Sequence, residues 1–285
     1  MTSPTRLLSL WLGLVPFAIF ALLFLILPTL SIVLGAFRDR AGGLTLDNLA
    51  GLGQERILSA LWLSVRLSFA TAVLGCLAGF AIAAAVTRGG LPKILRGPLM
   101  SFSGVAANFA GVPLAFAFIA TLGRLGFLTV VLRDWFGFNL YATGFNLLSF
   151  WGLALTYLYF QIPLMILVIT PSLDGIKTEW REAAESLGAS PFTYWRMVLL
   201  PILWPALLGT LALLFANAFG AVATAMAQTG SSLSLLPIVL FAQIRGDVLQ
   251  DPGLGYAIAF GMIVLTGVAT AVSIWLRSRA ERWLK

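Results

Sequence analysis

The chain has no histidine, a single cysteine, and lysine at only Lys93, Lys177 and Lys285 of its 285 positions. Each scarcity removes a class of chemistry. Without histidine, the commonest metal ligand and the commonest general base are missing. Cys76 stands alone in an apolar run, so neither an internal disulfide nor a thiolate metal cluster can form, and no metal site is expected. The three lysines follow Pro, Ile and Leu, which excludes the Gly-Lys-Ser/Thr end of a phosphate-binding loop. Charge is scarce too, at 10% of residues against about 25% in soluble chains.

Apolar residues make up 60% of the sequence, and the mean hydropathy is +0.97. A soluble chain of this length lacks the polar side chains to coat so large an apolar interior. Soluble enzymes, disordered proteins and nucleic-acid binders are disfavoured together, and the composition reads as an all-α integral membrane protein. A bilayer core needs about 20 apolar residues per helix. Six runs supply them: Leu7–Phe37, Leu67–Thr87, the interval between Arg96 and Arg124, Leu147–Leu173, Pro201–Ala227 and Gly255–Leu276. The first is too long for a signal-peptide core and reads as a retained helix. Pro98 and Pro113 are expected to start and kink the third, and Pro201 to open the fifth.

Basic residues orient these spans. With the N-terminus in the cytoplasm, eleven Lys and Arg fall inside, from Arg6, Arg88, Lys93 and Arg96 to Lys285. Six fall outside, among them Arg38, Arg40 and Arg245, and Arg66 sits at a helix edge. The charge is then +6 inside and zero outside, so the overall +7 is a topology signal that needs no nucleic acid as partner. Both termini are expected in the cytoplasm. Two outer stretches, Gly123–Asn146 and Gln228–Leu254, read either as an aromatic belt with a surface or re-entrant helix, or as a docking surface or gate.

The most polar stretch, Asp174–Pro201, lies inside between the fourth and fifth spans. Thr178 can cap a short helix whose first turns hold Glu179 and Glu182, where carboxylates suit the helix dipole. Gly188 follows Leu187 at the position where a positive φ ends many helices. Ser190-Pro191 then starts a second helix. The expected form is helix–glycine–helix, with Ala183 and Ala184 presented for close approach.

Glu182-Ala183-Ala184, three residues, Gly188, nine residues, then Val198-Leu199-Leu200-Pro201 resembles the E-A-A-x3-G-x9-I-x-L-P loop of ABC importer permeases, with Val for Ile. The likeness extends to Thr45-Leu46-Asp47-Asn48, which resembles that family's external segment, and to a five-helix core over about Leu58–Leu276 with an N-terminal helix wrapping outside. It implies a division into 1–57 and 58–285. It also implies a bacterial inner-membrane subunit working with cytoplasmic ATP-binding subunits, a second and non-identical permease, and a periplasmic solute-binding protein, within membrane lipid. The chain itself would bind no cofactor, ATP and Mg belonging to the partner subunit. Glu182, Ala183, Ala184, Gly188 and Pro201 would couple the loop to that ATPase.

Within the family the chain looks most like the branch handling polyamines, opines, ferric iron, thiamine and phosphonates, so a polyamine-like or related organic cation is the expected solute. Sulfate and molybdate permeases carry a G-E-F-G-A-like stretch where this chain has Asn217-Ala218-Phe219-Gly220-Ala221, and the missing glutamate argues against that branch. Asn108, Gln161 and Asn217 are costly in lipid and face the bundle interior, either touching solute or tying helices together. Tyr157 and Tyr159 read as packing or belt residues. The rivals are an ion-coupled secondary carrier and a membrane-embedded enzyme. Neither finds its ionisable groups within the six runs, which contain no Asp, Glu or His.

Overall fold

The computed structural model describes residues 14–39, 41–89, 92–245 and 251–284, with side chains for all of these except 93, 244, 245 and 280–284. Arg6, Arg40 and Lys285, and the side chains of Lys93, Arg245 and Arg282, lie outside the described residues. The helices are α1 (Leu14–Ala36), α2 (Glu55–Arg88), α3 (Arg96–Asn108), α4 (Val112–Leu122), α5 (Phe127–Phe136), α6 (Phe150–Asp174), α7 (Thr178–Ser186), α8 (Pro191–Phe219), α9 (Val222–Thr229), α10 (Leu236–Arg245) and α11 (Pro252–Leu284). Among the described residues, six stretches are long and apolar enough to cross a membrane: α1, α2, α4 with α5, α6, α8, and Pro252–Arg279 of α11. The all-α, six-span expectation therefore holds.

The boundaries differ in ways that have physical causes. Helix α2 starts at Glu55, so Arg66 lies a third of the way along it and is no longer at its edge. The interval Arg96–Arg124 is not one kinked helix. It divides into α3 and α4 around Gly111, whose φ of +75° no helix can contain. The fifth span begins ten residues before Pro201, which sits inside a continuous helix. Just ahead of it, Trp195–Leu199 widens into a π turn that closes with the Leu200 N–H on the Trp195 carbonyl. A proline ring would press on the carbonyl four residues back in α geometry, and the wider turn relieves that crowding. Helix α1 repeats the device, with π residues Leu22–Ile26 ahead of Pro28.

Two compact units are distinguishable, Met1–Ser59 with Val239–Val264 and Ala60–Ile238 with Leu265–Lys285. In the first, the Asn48 amide donates to the carbonyls of Gly35, Ala36 and Arg38 and so caps the end of α1. Thr45 and Asp47 bond to each other beside it, which gives the Thr45–Asn48 segment a structural task.

In the second unit α6 is the axis, with 61% of its apolar window buried. Helix α2 lies against it through Gly75 and Gly79, where an added Cβ would fall 2.8 Å from Gln161 and 2.6 Å from Met165. Small residues four apart let helix backbones approach in this way. Helices α3 and α8 pack along other faces of α6. Two buried apolar clusters result. One centres on Met165, Ile169, Leu173 and Leu203, the other on Leu67, Leu153, Tyr157 and Phe160.

Candidate functional site

The segment after α6 folds as helix–glycine–helix. Helix α7 starts from Lys177 (φ −72°, ψ 137°), with no side chain capping it, so Thr178 is the first helical residue and not the cap. Its end is a Schellman turn: the Gly188 N–H donates to Glu185 at 2.9 Å and the Ala189 N–H to Ala184 at 3.0 Å, with Gly188 at φ +81°. The Ser190 hydroxyl accepts from the Thr193 N–H at 3.2 Å, and Pro191 opens α8 as expected.

The two alanines of the motif part company. Ala184 is buried with Tyr194, Leu199, Leu173 and Ile176, so it closes the loop onto its own chain. Ala183 is exposed, as are Glu182, Leu187 and Phe192, the last two at 89% and 73%. Glu182 makes no ion pair among the described residues, whereas Arg181 pairs with Glu185 at 2.7 Å. That hydrogen bond, followed by the Glu185 charge, raises the Arg181 guanidinium above its ordinary pKa.

The loop is tied to the bundle by arginines whose only expected role was topology. Arg88, in the last turn of α2, donates from Nε and Nη2 to the Leu173 carbonyl (3.2 and 2.6 Å) and from Nη2 to the Ile176 carbonyl (2.5 Å). A cation thus satisfies the end of α6, where carbonyls and dipole both favour it. Arg96 pairs with Asp174 next to it. On the α8 side, the Trp195 ring meets Phe80 of α2 edge-on at 6.3 Å.

A second polar feature lies toward the Phe150 end of α6. Helix α3 stops at Asn108 and α4 starts after Gly111, and α8 stops at Phe219 and α9 starts after Ala221. Ala221 (φ −78°, ψ 53°) forms an inverse γ-turn, with the Val222 N–H donating to the Gly220 carbonyl at 2.8 Å. The two breaks touch. Gly111 N–H donates to the Thr224 hydroxyl at 2.8 Å, and the Tyr157 hydroxyl of α6 donates to the Ala221 carbonyl at 3.0 Å. Tyr157 and Thr224 are 2% and 1% exposed. At 1.5 Å per residue Tyr157 stands about 10 Å from the Phe150 end of α6 and about 25 Å from the loop end.

Non-helical backbone at such depth is tolerated where protein groups satisfy it or where it lines a cavity. Asn108 and Asn217 flank the breaks and are exposed, Asn108 bonding back to the Gly104 carbonyl at 2.9 Å. Gln161 is fully buried, and its amide donates to the Leu214 carbonyl at 3.0 Å, which ties α6 to α8. Tyr159 packs between Phe109 and Phe118. Sequence reasoning missed Arg88, Gly111, Thr224 and the bonding role of Tyr157. Only Gly111, two residues before Pro113, left a visible signal.

No family model matches this chain. It is 29% identical over 221 residues to a probable sulfate transport system permease protein cysT of Chlorella vulgaris, covering 76% of this chain and 78% of that protein. It is 28% identical over 179 residues to the molybdenum transport system permease protein ModB of Haemophilus influenzae, covering 61% and 73%. The spermidine/putrescine transport system permease protein PotC of Escherichia coli is 29% identical over 126 residues, covering 44% and 47%. In fold, the chain superposes on a bacterial ABC transporter involved in the import of the acidic polysaccharide alginate. The TM-score is 0.71 at 18% identity, over 99% of this chain and 98% of that one. The MetNI methionine ABC transporter gives 0.53 at 17% identity, over 79% and 98%. The sulfate and molybdenum relatives match over more of the chain than PotC does, so the missing glutamate does not set that branch aside.

Proposed function

We propose that this chain, an ABC importer permease by kinship and fold, is one of two transmembrane subunits of a binding-protein-dependent importer. Residues 58–285 form its permease core, and 1–57 an N-terminal helix with its external segment. Separate cytoplasmic subunits bind ATP and Mg and carry out hydrolysis. The 174–201 loop seats in a groove of such a subunit, with both termini on the same side, and a periplasmic binding protein delivers solute opposite. The second permease is non-identical.

One observation carries this reading: an E-A-A…G loop with an outward Glu182 and an inward Ala184, bonded through Arg88 to the end of α6. Glu182 makes charge-assisted bonds to basic groups of the ATPase, and Ala183 with Leu187 gives the close apolar contact. Ala184 and Gly188 set the loop's shape. Pro201, behind its π turn, lets α8 bend as the loop moves. Because Arg88 and Arg96 fix the loop to α6, motion at the ATPase travels along α6 as a rigid body toward the breaks. Solute passes beside Asn108 and Asn217, while Gln161 acts as a tie.

A polyamine-like or related organic cation is the first solute reading. The PotC relationship supports it, and so does a pocket of about 380 Å³ lined by Asp39, Asp251 and Tyr256 beside one arginine, Arg38. A sulfate- or molybdate-like oxyanion is the second, favoured by the longer matches. Purification of tagged protein from native membranes tests the assembly. An ATPase and a different permease should co-purify, with the ATPase lost on Glu182→Lys. Two copies of this chain, or a chain that purifies alone, would refute it. Competition of radiolabelled spermidine, sulfate and molybdate for uptake into proteoliposomes then separates the solutes.

A further inference from the structure

Behind the loop is a cavity of about 200 Å³ that the coupling reading does not use, walled by Arg88 of α2, Arg181 and Glu185 of α7, and Tyr194 and Trp195 of α8. Its polar groups are unevenly satisfied. Arg88 uses Nε and Nη2 on the Leu173 and Ile176 carbonyls, leaving Nη1 without a bond among the described residues. Arg181 uses Nε on Glu185, which leaves both of its terminal nitrogens. Glu185 is thereby neutralised within the wall, and the lining carries one net positive charge. Tyr194 is only 7% exposed, and its hydroxyl, which bonds to no described residue, reaches solvent beside these guanidinium groups. Guanidinium nitrogens and a hydroxyl around one cleft, with the Arg181 and Glu185 side chains 58% and 53% exposed at it, make a donor set, and tetrahedral oxyanions match it through several charge-assisted bonds at once.

We propose that this cavity binds a small tetrahedral oxyanion between Arg88, Arg181 and Tyr194, the chemistry shared by inorganic phosphate, sulfate and the phosphate of a lipid headgroup. A bound anion bridges α2 to both helices of the loop and holds the loop against the bundle. The binding claim stands on the cavity alone, whereas any effect on ATP-driven coupling rests on the function proposed above.

The test is equilibrium dialysis of radiolabelled phosphate and sulfate against the purified, delipidated transporter complex, with native mass spectrometry of lipid retained before delipidation. Tyr194→Phe and Arg181→Gln probe the site without touching the bonds that tie α2 to α6. Saturable binding of one anion per chain, weakened tenfold or more in both variants, supports the site with a free anion as occupant. No free-anion binding, but a phospholipid retained by the parent and lost from both variants, supports it with the headgroup as occupant. Binding that both variants leave unchanged, or no phosphate-bearing ligand of either kind, overturns it. ATPase co-purification, followed in the same preparations, separates failure of this site from failure of the coupling reading.

Discussion

The two ends of α6 hold their non-helical backbone differently. At the loop end the bonds that shape the turn are short-range, Gly188 to Glu185, Ala189 to Ala184 and Thr193 to Ser190, on a surface open enough to leave Leu187 89% exposed, and long-range bonds from Arg88 and Arg96 hold the end of α6 behind it. At the breaks they span the chain, Gly111 bonding a residue 113 positions away and Tyr157 one 64 away, through the buried side chains of Thr224 and Tyr157. A loop that is capped from within can move as a body and keep its shape. Paired breaks held by neighbouring helices cannot shift without breaking or carrying those bonds. The difference fits a rigid contact element at one end and a conformational joint at the other.

Substitutions can break that comparison. The largest effect on stability is expected from Gly111→Val, since a β-branched residue at positive φ costs about 1–3 kcal/mol. Uptake should be lost and thermal unfolding in detergent should fall by several degrees. Unchanged unfolding would remove the joint from the account.

Thr224→Val should cost about 1–3 kcal/mol by leaving the partly buried Gly111 N–H unpaired, and Tyr157→Phe about 1 kcal/mol, since the Ala221 carbonyl keeps the Ala225 N–H at 3.3 Å. Because both bonds serve one pair of breaks, the double variant should be non-additive by more than about 0.5 kcal/mol. Simple addition would mean that the two breaks act separately. Ser190→Ala, at the loop, removes only an N-cap worth about 1 kcal/mol, and hydrogen exchange should rise locally over 190–194 with the bundle unaffected. Smallest in stability is Glu182→Lys, within about 0.5 kcal/mol because the site is exposed. ATPase stimulation should nonetheless disappear. A stable but uncoupled protein is the outcome that separates contact from scaffold.

The same contrast governs what could be read in advance. Span number, the loop's helix–glycine–helix form, Gly188 and the Ser190 cap were legible because their causes lie within a few residues of sequence. The inward turn of Ala184 was not, since adjacent alanines look alike until the Tyr194–Leu199 cluster decides which one is covered. Nor was the role of Arg88, which depends on where the end of α2 meets the end of α6. Thr178 was misplaced by one residue because the helix forms without a side-chain cap. The split of the third span was hidden for a related reason: Gly111 and Pro113 are compatible with a kinked helix, and the Thr224 hydroxyl that stabilises a full break comes from another helix.

Cysteine scanning of the loop tests the central claim most directly, since Cys76 is the only native cysteine and Cys76→Ser gives a clean background. Cysteines placed singly at Ala183, Ala184 and Leu187 would be treated with a short thiol-to-amine cross-linker in the assembled complex. The account predicts cross-links to the ATPase subunit from positions 183 and 187 and none from 184, where the side chain packs into its own bundle. Equal cross-linking from 184, or none from 183 and 187, would contradict it.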